Sequence, residues 1–215
     1  MLNRLCSGFC LIVLASAAAF AAEPFRLELK DAKLGELPRG WKAAKTGEGP
    51  VSVWKVLEDP SAPSSGKTLA QTSADGPNSL FNLCIAEDVK FADVDISVSL
   101  KANAGKVDRG GGLIWRCKDA DNYYIARANA LEDNVTIYHT IKGKRASFKN
   151  IDTKVAPALW HTLRVEFEDN KFAVIFDGKK VVEATDDSFS DAGKVGVWTK
   201  ADSVTLFDDF TWGSK

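Results

Sequence analysis

The 215-residue chain is predicted to fold as an antiparallel all-β domain, either a sandwich or a barrel. Apolar and polar residues alternate with a period of two along many short runs, and turn-forming residues separate these runs. Beyond residue 22, no stretch keeps a helical period of about 3.6 residues for more than two turns. This combination is typical of strands that place one face on a core.

The alternating runs are the predicted strands. The clearest is 94–101, where four aliphatic residues from Val94 to Leu100 alternate with Asp, Ser and Lys, and the same pattern recurs in 135–141 and 162–168. Further short apolar runs begin at Phe25, Val51, Leu69, Leu80, Leu113, Tyr123, Phe172, Val181, Val195 and Val204.

The residues between the runs predict hairpins. Asp177-Gly178 favours a type I′ turn, because both central positions of that turn need a positive φ. The segments 168–171 and 142–144 are further hairpin candidates. Gly110-Gly111-Gly112 is predicted to form a loop or bulge, because no helix pattern follows that would make it a phosphate-binding loop.

The first 22 residues have the pattern of a secretory signal peptide. Arg4 is followed by an apolar run to Phe20 and by small residues suited to cleavage. The run is too short for a stable membrane anchor, which needs about 20 strongly apolar residues. We therefore expect a secreted or periplasmic protein, with residues 23–215 forming a single domain.

The charge balance argues against nucleic acid as a partner. Removal of Arg4 with the signal peptide leaves 27 basic and 29 acidic side chains. Nucleic-acid-binding domains usually carry a clear basic excess.

Several segments resemble known concanavalin A-like domains. Gly111–Arg116, Leu159–Val165 and Phe176–Val181 are similar to strands of the bacterial 3-keto-disaccharide hydrolase domain family. Lys194–Trp198 and Phe207–Phe210 resemble the closing strands of laminin-G-like and family 16 glycoside hydrolase-like domains. The resemblance implies a two-sheet antiparallel jelly-roll sandwich of concanavalin A-like type, with a concave sheet face that binds sugars.

The function that this resemblance implies is glycan recognition on the concave face. One alternative is a glycoside hydrolase of the 3-keto-disaccharide hydrolase-like group, although the Glu-x-Asp-x-x-Glu motif of family 16 enzymes does not occur in the sequence. Another is a structural or protein-interaction module with a protein partner, because a fold does not fix its function.

The candidate ligand-binding residues cluster around one predicted hairpin. Tyr123, Arg127 and Asn129 share one face of a strand, and Arg116 lies in the strand before it. Aromatic rings and Arg or Asn side chains suit a sugar's apolar faces and hydroxyl groups. The alternative is an ordinary sheet face in which Arg127 pairs with a glutamate.

Three glutamates are the candidate catalytic acids or bases: Glu132, Glu166 and Glu168. Glycoside hydrolysis generally needs two carboxyl groups, about 5 to 10 Å apart. Glu166 and Glu168 lie two residues apart on a predicted strand and therefore share a face.

Two further features concern stability rather than chemistry. Asp208 and Asp209 near the end of the last predicted strand are a candidate structural calcium site, and no other cofactor is expected. Cys84 and Cys117 remain after signal cleavage. Export permits a disulfide between them, and burial of both as reduced thiols within apolar strands is equally natural.

Overall fold

The computed structural model describes residues 25–213, which form fifteen strands and contain no helix. The strands pair antiparallel throughout and make two sheets. The predicted signal peptide and its cleavage site lie outside the described residues. No helix long and apolar enough to span a membrane occurs within 25–213.

Sheet I has eight strands in the order β13-β12-β11-β6-β15-β4-β3, with β1 also paired to β15. Its strands are β1 (Phe25–Arg26), β3 (Trp54–Glu58), β4 (Lys67–Gln71), β6 (Val94–Ala104), β11 (His161–Glu168), β12 (Lys171–Phe176), β13 (Lys179–Thr185) and β15 (Val204–Gly213).

Sheet II has seven strands in the order β10-β9-β8-β7-β14-β5-β2. Its strands are β2 (Trp41–Thr46), β5 (Phe81–Phe91), β7 (Gly110–Asp119), β8 (Asn122–Asn129), β9 (Asn134–Ile141), β10 (Lys144–Asp152) and β14 (Gly193–Lys200).

The main core lies between the two sheets. The alternating residues of β6 and β11, such as Val98 and Val165, contact inward-facing residues of sheet II such as Trp115 and Val197. Burial of these aliphatic and aromatic side chains is the dominant stabilising term, about 25 cal/mol per Å² of apolar surface. The predicted two-sheet, concanavalin A-like sandwich is confirmed.

The turn predictions are confirmed at all three hairpins, including 168–171, where Glu168 is paired with Lys171, and wrong at the glycine run. Asp177 and Gly178 have φ of 48° and 77°, and Lys142 and Gly143 have 50° and 75°, as a type I′ turn requires. The run 110–112, however, begins strand β7. A Cβ at Gly111 would lie 2.8 Å from the ring of Phe207, so close packing of the sheets requires glycine there.

Candidate functional site

The outer face of sheet II, which points away from sheet I, carries a second apolar cluster. Its members are at most 8% exposed, although no second sheet covers them. They come from strands β5, β7, β8, β9 and β14: Phe81, Leu83, Ile85, Ile114, Cys117, Tyr123, Ile125, Tyr138 and Trp198.

A network of charged side chains lies beside this cluster. The Asp108 carboxylate is 3.5 Å from Arg127 Nη1 and 3.4 Å from Lys200 Nζ, and it accepts a hydrogen bond of 3.2 Å from Asn129 Nδ2. Burial raises the pKa of Asp108 in spite of the two cations. The carboxylate is buried between the two cations, and its Oδ2 has no hydrogen-bond partner within the described residues, so we assign it to holding Arg127 rather than to contacting a ligand.

Arg127 connects Asp108 to the more exposed part of the face. Its Nη2 donates to Glu132 Oε2 at 2.5 Å and to Asn134 Oδ1 at 2.9 Å. Burial raises the pKa of Glu132. The Arg127 charge and the hydrogen bonds from Arg127 and Asn134 lower this pKa by more than burial raises it, so the net shift is downward. Glu132, whose side chain is 49% exposed, is therefore an ionised acceptor at the surface of the network.

Asn129 fixes the turn that carries Glu132. Its Oδ1 accepts hydrogen bonds from the backbone N–H of Leu131 at 2.8 Å and of Glu132 at 3.2 Å. Asn129 is itself fully buried, because it sits below this turn and against Asp108. Its contribution to the site is positional.

Tyr123 shares this face, as predicted, but does not reach its surface. Its hydroxyl lies 2.6 Å from Thr46 Oγ1, and burial raises the pKa of Tyr123 to about 12. The prediction that the Tyr123–Arg127–Asn129 face is open to ligand is therefore wrong in detail. All three side chains point outward from sheet II, yet each is at most 1% exposed.

Arg145 covers the aromatic part of the face. Its guanidinium carbon is 4.3 Å from the ring centre of Tyr138, 4.7 Å from that of Phe81 and 5.5 Å from that of Trp198. Such cation–π contacts hold the planar group against the rings. Three buried N–H groups of the face, Arg127 Nε, Arg145 Nη1 and Trp198 Nε1, have no hydrogen-bond partner within the described residues.

Arg116 lies elsewhere, and its predicted place among the ligand contacts is not supported. It occupies a bulge of β7 with φ of 43°. Its guanidinium donates to the carbonyl oxygens of Ala92 at 2.9 Å and Phe189 at 2.6 Å, and also to that of Asp169. Saturation by backbone acceptors makes Arg116 a brace between loops.

The three candidate catalytic glutamates do not come together. Glu132 is on the outer face of sheet II, whereas Glu166 and Glu168 are in β11 of sheet I. Glu166 pairs with Arg164 at 2.8 Å. Glu132 therefore cannot pair with either β11 glutamate. Glu166 and Glu168 line one cavity of sheet I, and the catalytic pair predicted there stays a prediction.

The predicted calcium site and disulfide are not supported. Asp208 accepts hydrogen bonds from Ser64 N at 2.8 Å and Oγ at 2.6 Å, and Asp209 pairs with Arg26 at 2.8 Å. No cluster of three or more potential metal-ligating side chains occurs between residues 25 and 213. Cys84 and Cys117 are free thiols, because they belong to different buried clusters on the two faces of sheet II.

Sequence reasoning missed Asp108, Tyr138, Arg145 and Lys200. Asp108 comes from a loop and Lys200 from the end of β14, so no local pattern connects them to Arg127. Arg145 lies on β10, a strand that the alternation did not reveal. The one available signal was the hairpin at 142–144, which implies a second strand after it.

Comparison with known proteins supports the fold. No protein-family model matches the chain. A stretch of 144 residues, 66% of the chain, is 26% identical to the levanase of Bacillus subtilis (strain 168), and it spans only 20% of that enzyme. The carbohydrate binding module CBM66 from Bacillus subtilis is similar with a TM-score of 0.64 and 22% identity, over 81% of this chain and 96% of the module.

A Bacillus subtilis protein with a galectin-like fold is also similar. Its TM-score is 0.61 at 9% identity, over 91% of this chain and 97% of that protein. At these identities the solved structures establish the β-sandwich architecture alone.

Proposed function

We propose that the protein is an extracytoplasmic carbohydrate-recognition domain that binds a saccharide on the outer face of sheet II. The observation that carries the proposal is Arg145, a half-buried guanidinium that lies over the rings of Tyr138, Phe81 and Trp198 and has a buried N–H group, Nη1, without a hydrogen-bond partner. Buried donors without acceptors cost about 1 to 3 kcal/mol each. A bound ligand rich in oxygen atoms would relieve that cost.

The polar groups at the surface of the face suit a sugar. The rings lie beneath Arg145 and are at most 8% exposed, so a ligand meets the Arg145 guanidinium, which donates, and the ionised Glu132, which accepts hydrogen bonds from hydroxyl groups. The similarity to a levanase and to the module CBM66 points the same way.

The N-terminal 22 residues support export of the protein. N-terminal sequencing of the protein from its native host tests export, and an intact Met1 would contradict it.

A glycan array followed by calorimetric titration of the hits tests the proposal. Glu132→Gln should weaken binding by about ten- to a hundredfold, because a charge-assisted hydrogen bond contributes about 1.5 to 3 kcal/mol. Glu166→Gln is the matched control, since Glu166 also pairs with an arginine but lies on sheet I, and it should leave affinity unchanged.

Equal effects of the two substitutions, or no glycan bound at all, would contradict the proposal. Product analysis on each hit tests the hydrolase alternative in the same experiment. Release of shorter saccharides that stops in Glu132→Gln would favour the enzyme.

A further inference from the structure

The charges of the proposed saccharide site do not balance. Three cations, Arg127, Arg145 and Lys200, meet two carboxylates, Asp108 and Glu132. Arg127 and Lys200 are both within 3.5 Å of Asp108, and Arg127 also bonds Glu132. The excess positive charge therefore falls to Arg145.

Arg145 is half-buried and has no ion-pair partner. No carboxylate of the described residues lies within 4.0 Å of its guanidinium, which lies against three aromatic rings and has one N–H group, Nη1, buried without a hydrogen-bond partner. Burial and the nearby Arg127 charge lower its pKa, with Tyr138 and Asp108 opposing the shift. A partly desolvated cation without a counter-ion is costly to fold, so its retention here calls for a ligand that supplies the missing charge.

We propose that this face takes an acidic saccharide whose carboxylate pairs with Arg145. This inference rests on the proposed function and names the class of sugar. The planar guanidinium matches a carboxylate in shape and can form two parallel hydrogen bonds with it. The rings of Tyr138, Phe81 and Trp198 hold the guanidinium in place, so little side-chain entropy is lost when the carboxylate arrives.

The ligand is thus a glycan with a uronic acid unit, and it differs from a neutral fructan. The ionised Glu132 at the rim would repel a second carboxylate close to it. The uronate is therefore expected to orient with its carboxylate toward Arg145 and its hydroxyl groups toward Glu132 and Asn134.

The test is calorimetric titration of the full chain with oligomers of galacturonate, glucuronate and mannuronate, each beside its methyl ester. Levan serves as the neutral glycan and a sulfated glycan as the other acidic one. At least one uronide should bind, and esterification should weaken it by about ten- to a hundredfold. Arg145→Met, which keeps an apolar side chain over the rings, should remove the difference in affinity between the acid and its ester.

Lys149→Met is the matched control, because Lys149 is an exposed cation on the same strand, and it should leave all affinities unchanged. Arg145→Lys should recover part of the lost affinity. A thermal melt of each variant verifies folding, and the ratio of acid to ester affinity in Arg145→Met provides a reading independent of stability.

The outcomes separate the two proposals. Binding of levan but of no uronide, a difference between acid and ester that persists in Arg145→Met, or binding of sulfated glycans alone, would overturn the uronate assignment and leave saccharide recognition standing. Failure of every glycan to bind would overturn both.

Discussion

Two buried arginines of sheet II have opposite roles, and their contacts explain the difference. Arg116 donates to backbone carbonyl groups of three loops, whereas Arg127 bonds the side chains of Glu132 and Asn134 and pairs with Asp108. A guanidinium bonded to carbonyl oxygens holds the chain in place. A guanidinium in a network of ionisable groups, such as that of Arg127, also determines the charge of the nearby protein surface that carries Glu132.

Arg127→Met should lower both stability and affinity. The substitution removes the guanidinium that pairs with the enclosed Asp108, and breaking a buried pair typically costs about 3 to 5 kcal/mol. Urea denaturation measures the stability, and titration of a glycan hit measures the affinity, which should fall beyond detection.

Arg116→Met is the control for that experiment. It removes the donor from three carbonyl oxygens, of which that of Phe189 is buried, and a buried acceptor without a partner costs about 1 to 3 kcal/mol. The free energy of unfolding should therefore fall while affinity stays unchanged. An Arg127→Met protein that binds as well as wild type would contradict the assignment of Arg127 to the site.

Predictions about which face of a strand a residue occupies were confirmed, because they depend only on the alternation of side chains along the strand. Predictions about which side chains are exposed failed, because exposure depends on distant segments that cover them. A period of two placed Tyr123, Arg127 and Asn129 on one face, which the structure confirms. It could not reveal that the face is closed over these residues, because the loop with Asp108 and the guanidinium of Arg145 approach from distant segments. The alternative to ligand binding, a sheet face in which Arg127 pairs with a glutamate, is supported by the ion pair between Arg127 and Glu132.

At the level of elements, the two strands that the sequence did not predict are the edge strands β2 and β10 of sheet II. Strand β10 is polar along most of its length and largely exposed, so it lacks the apolar alternation of central strands. Polar, charged edges prevent sheets from pairing with other chains. The same feature that protects this edge concealed the strand carrying Arg145.

The loop before β7 is held by a single carboxylate. Asp202 accepts hydrogen bonds from the backbone N–H of Lys106 at 2.7 Å, Val107 at 3.1 Å and Asp108 at 3.0 Å. Gly105 allows the loop to approach, since its φ is 143° and a Cβ there would lie 1.8 Å from the Asp108 carbonyl oxygen. This loop delivers the Asp108 side chain to Arg127.

Asp202→Asn should destabilise the fold by at least about 1.5 kcal/mol near neutral pH, because hydrogen bonds to an ionised acceptor are lost. Burial raises the pKa of Asp202. The three backbone donors lower this pKa by more than burial raises it, so the net shift is downward. The stabilisation is present above the unfolded pKa of about 3.9 and disappears as pH falls through the lower folded value.

Urea titrations between pH 2.5 and 7 check this. The difference in the free energy of unfolding between wild type and Asp202→Asn should be constant above about pH 5 and shrink below about pH 4. The exposed Asp191→Asn is the control. A gap that persists unchanged at the lowest pH would show that the charge of Asp202 is not what holds the loop.

At the level of the whole molecule, the central strands of sheet II are buried on both faces. Its inward residues belong to the core between the sheets, and its outward residues form the cluster around Tyr123 and Trp198. Continuous apolar segments such as 123–126 follow from this double burial. The fold class was predictable because the alternation in β6, β9 and β11 and the hairpin turns fix antiparallel pairing.

The two buried cysteines, one on each face, provide a test of this architecture. Burial raises the pKa of Cys84 well above its usual value and that of Cys117 to about 12, so the reactive thiolate is scarce at pH 8. A chain beginning at residue 23 should not react with a thiol reagent when native, and should show two thiols after unfolding without reductant. Absence of thiols after unfolding would instead establish a disulfide.

The central claim, that the ligand binds on the outer face of sheet II, is tested most directly by hydrogen–deuterium exchange with and without a saturating glycan hit. The account predicts added protection in β8, β9 and β10 and in the 105–109 loop, with no change in β11, β12 and β13 of sheet I. Protection confined to sheet I, or to the loops bonded by Arg116, would contradict it.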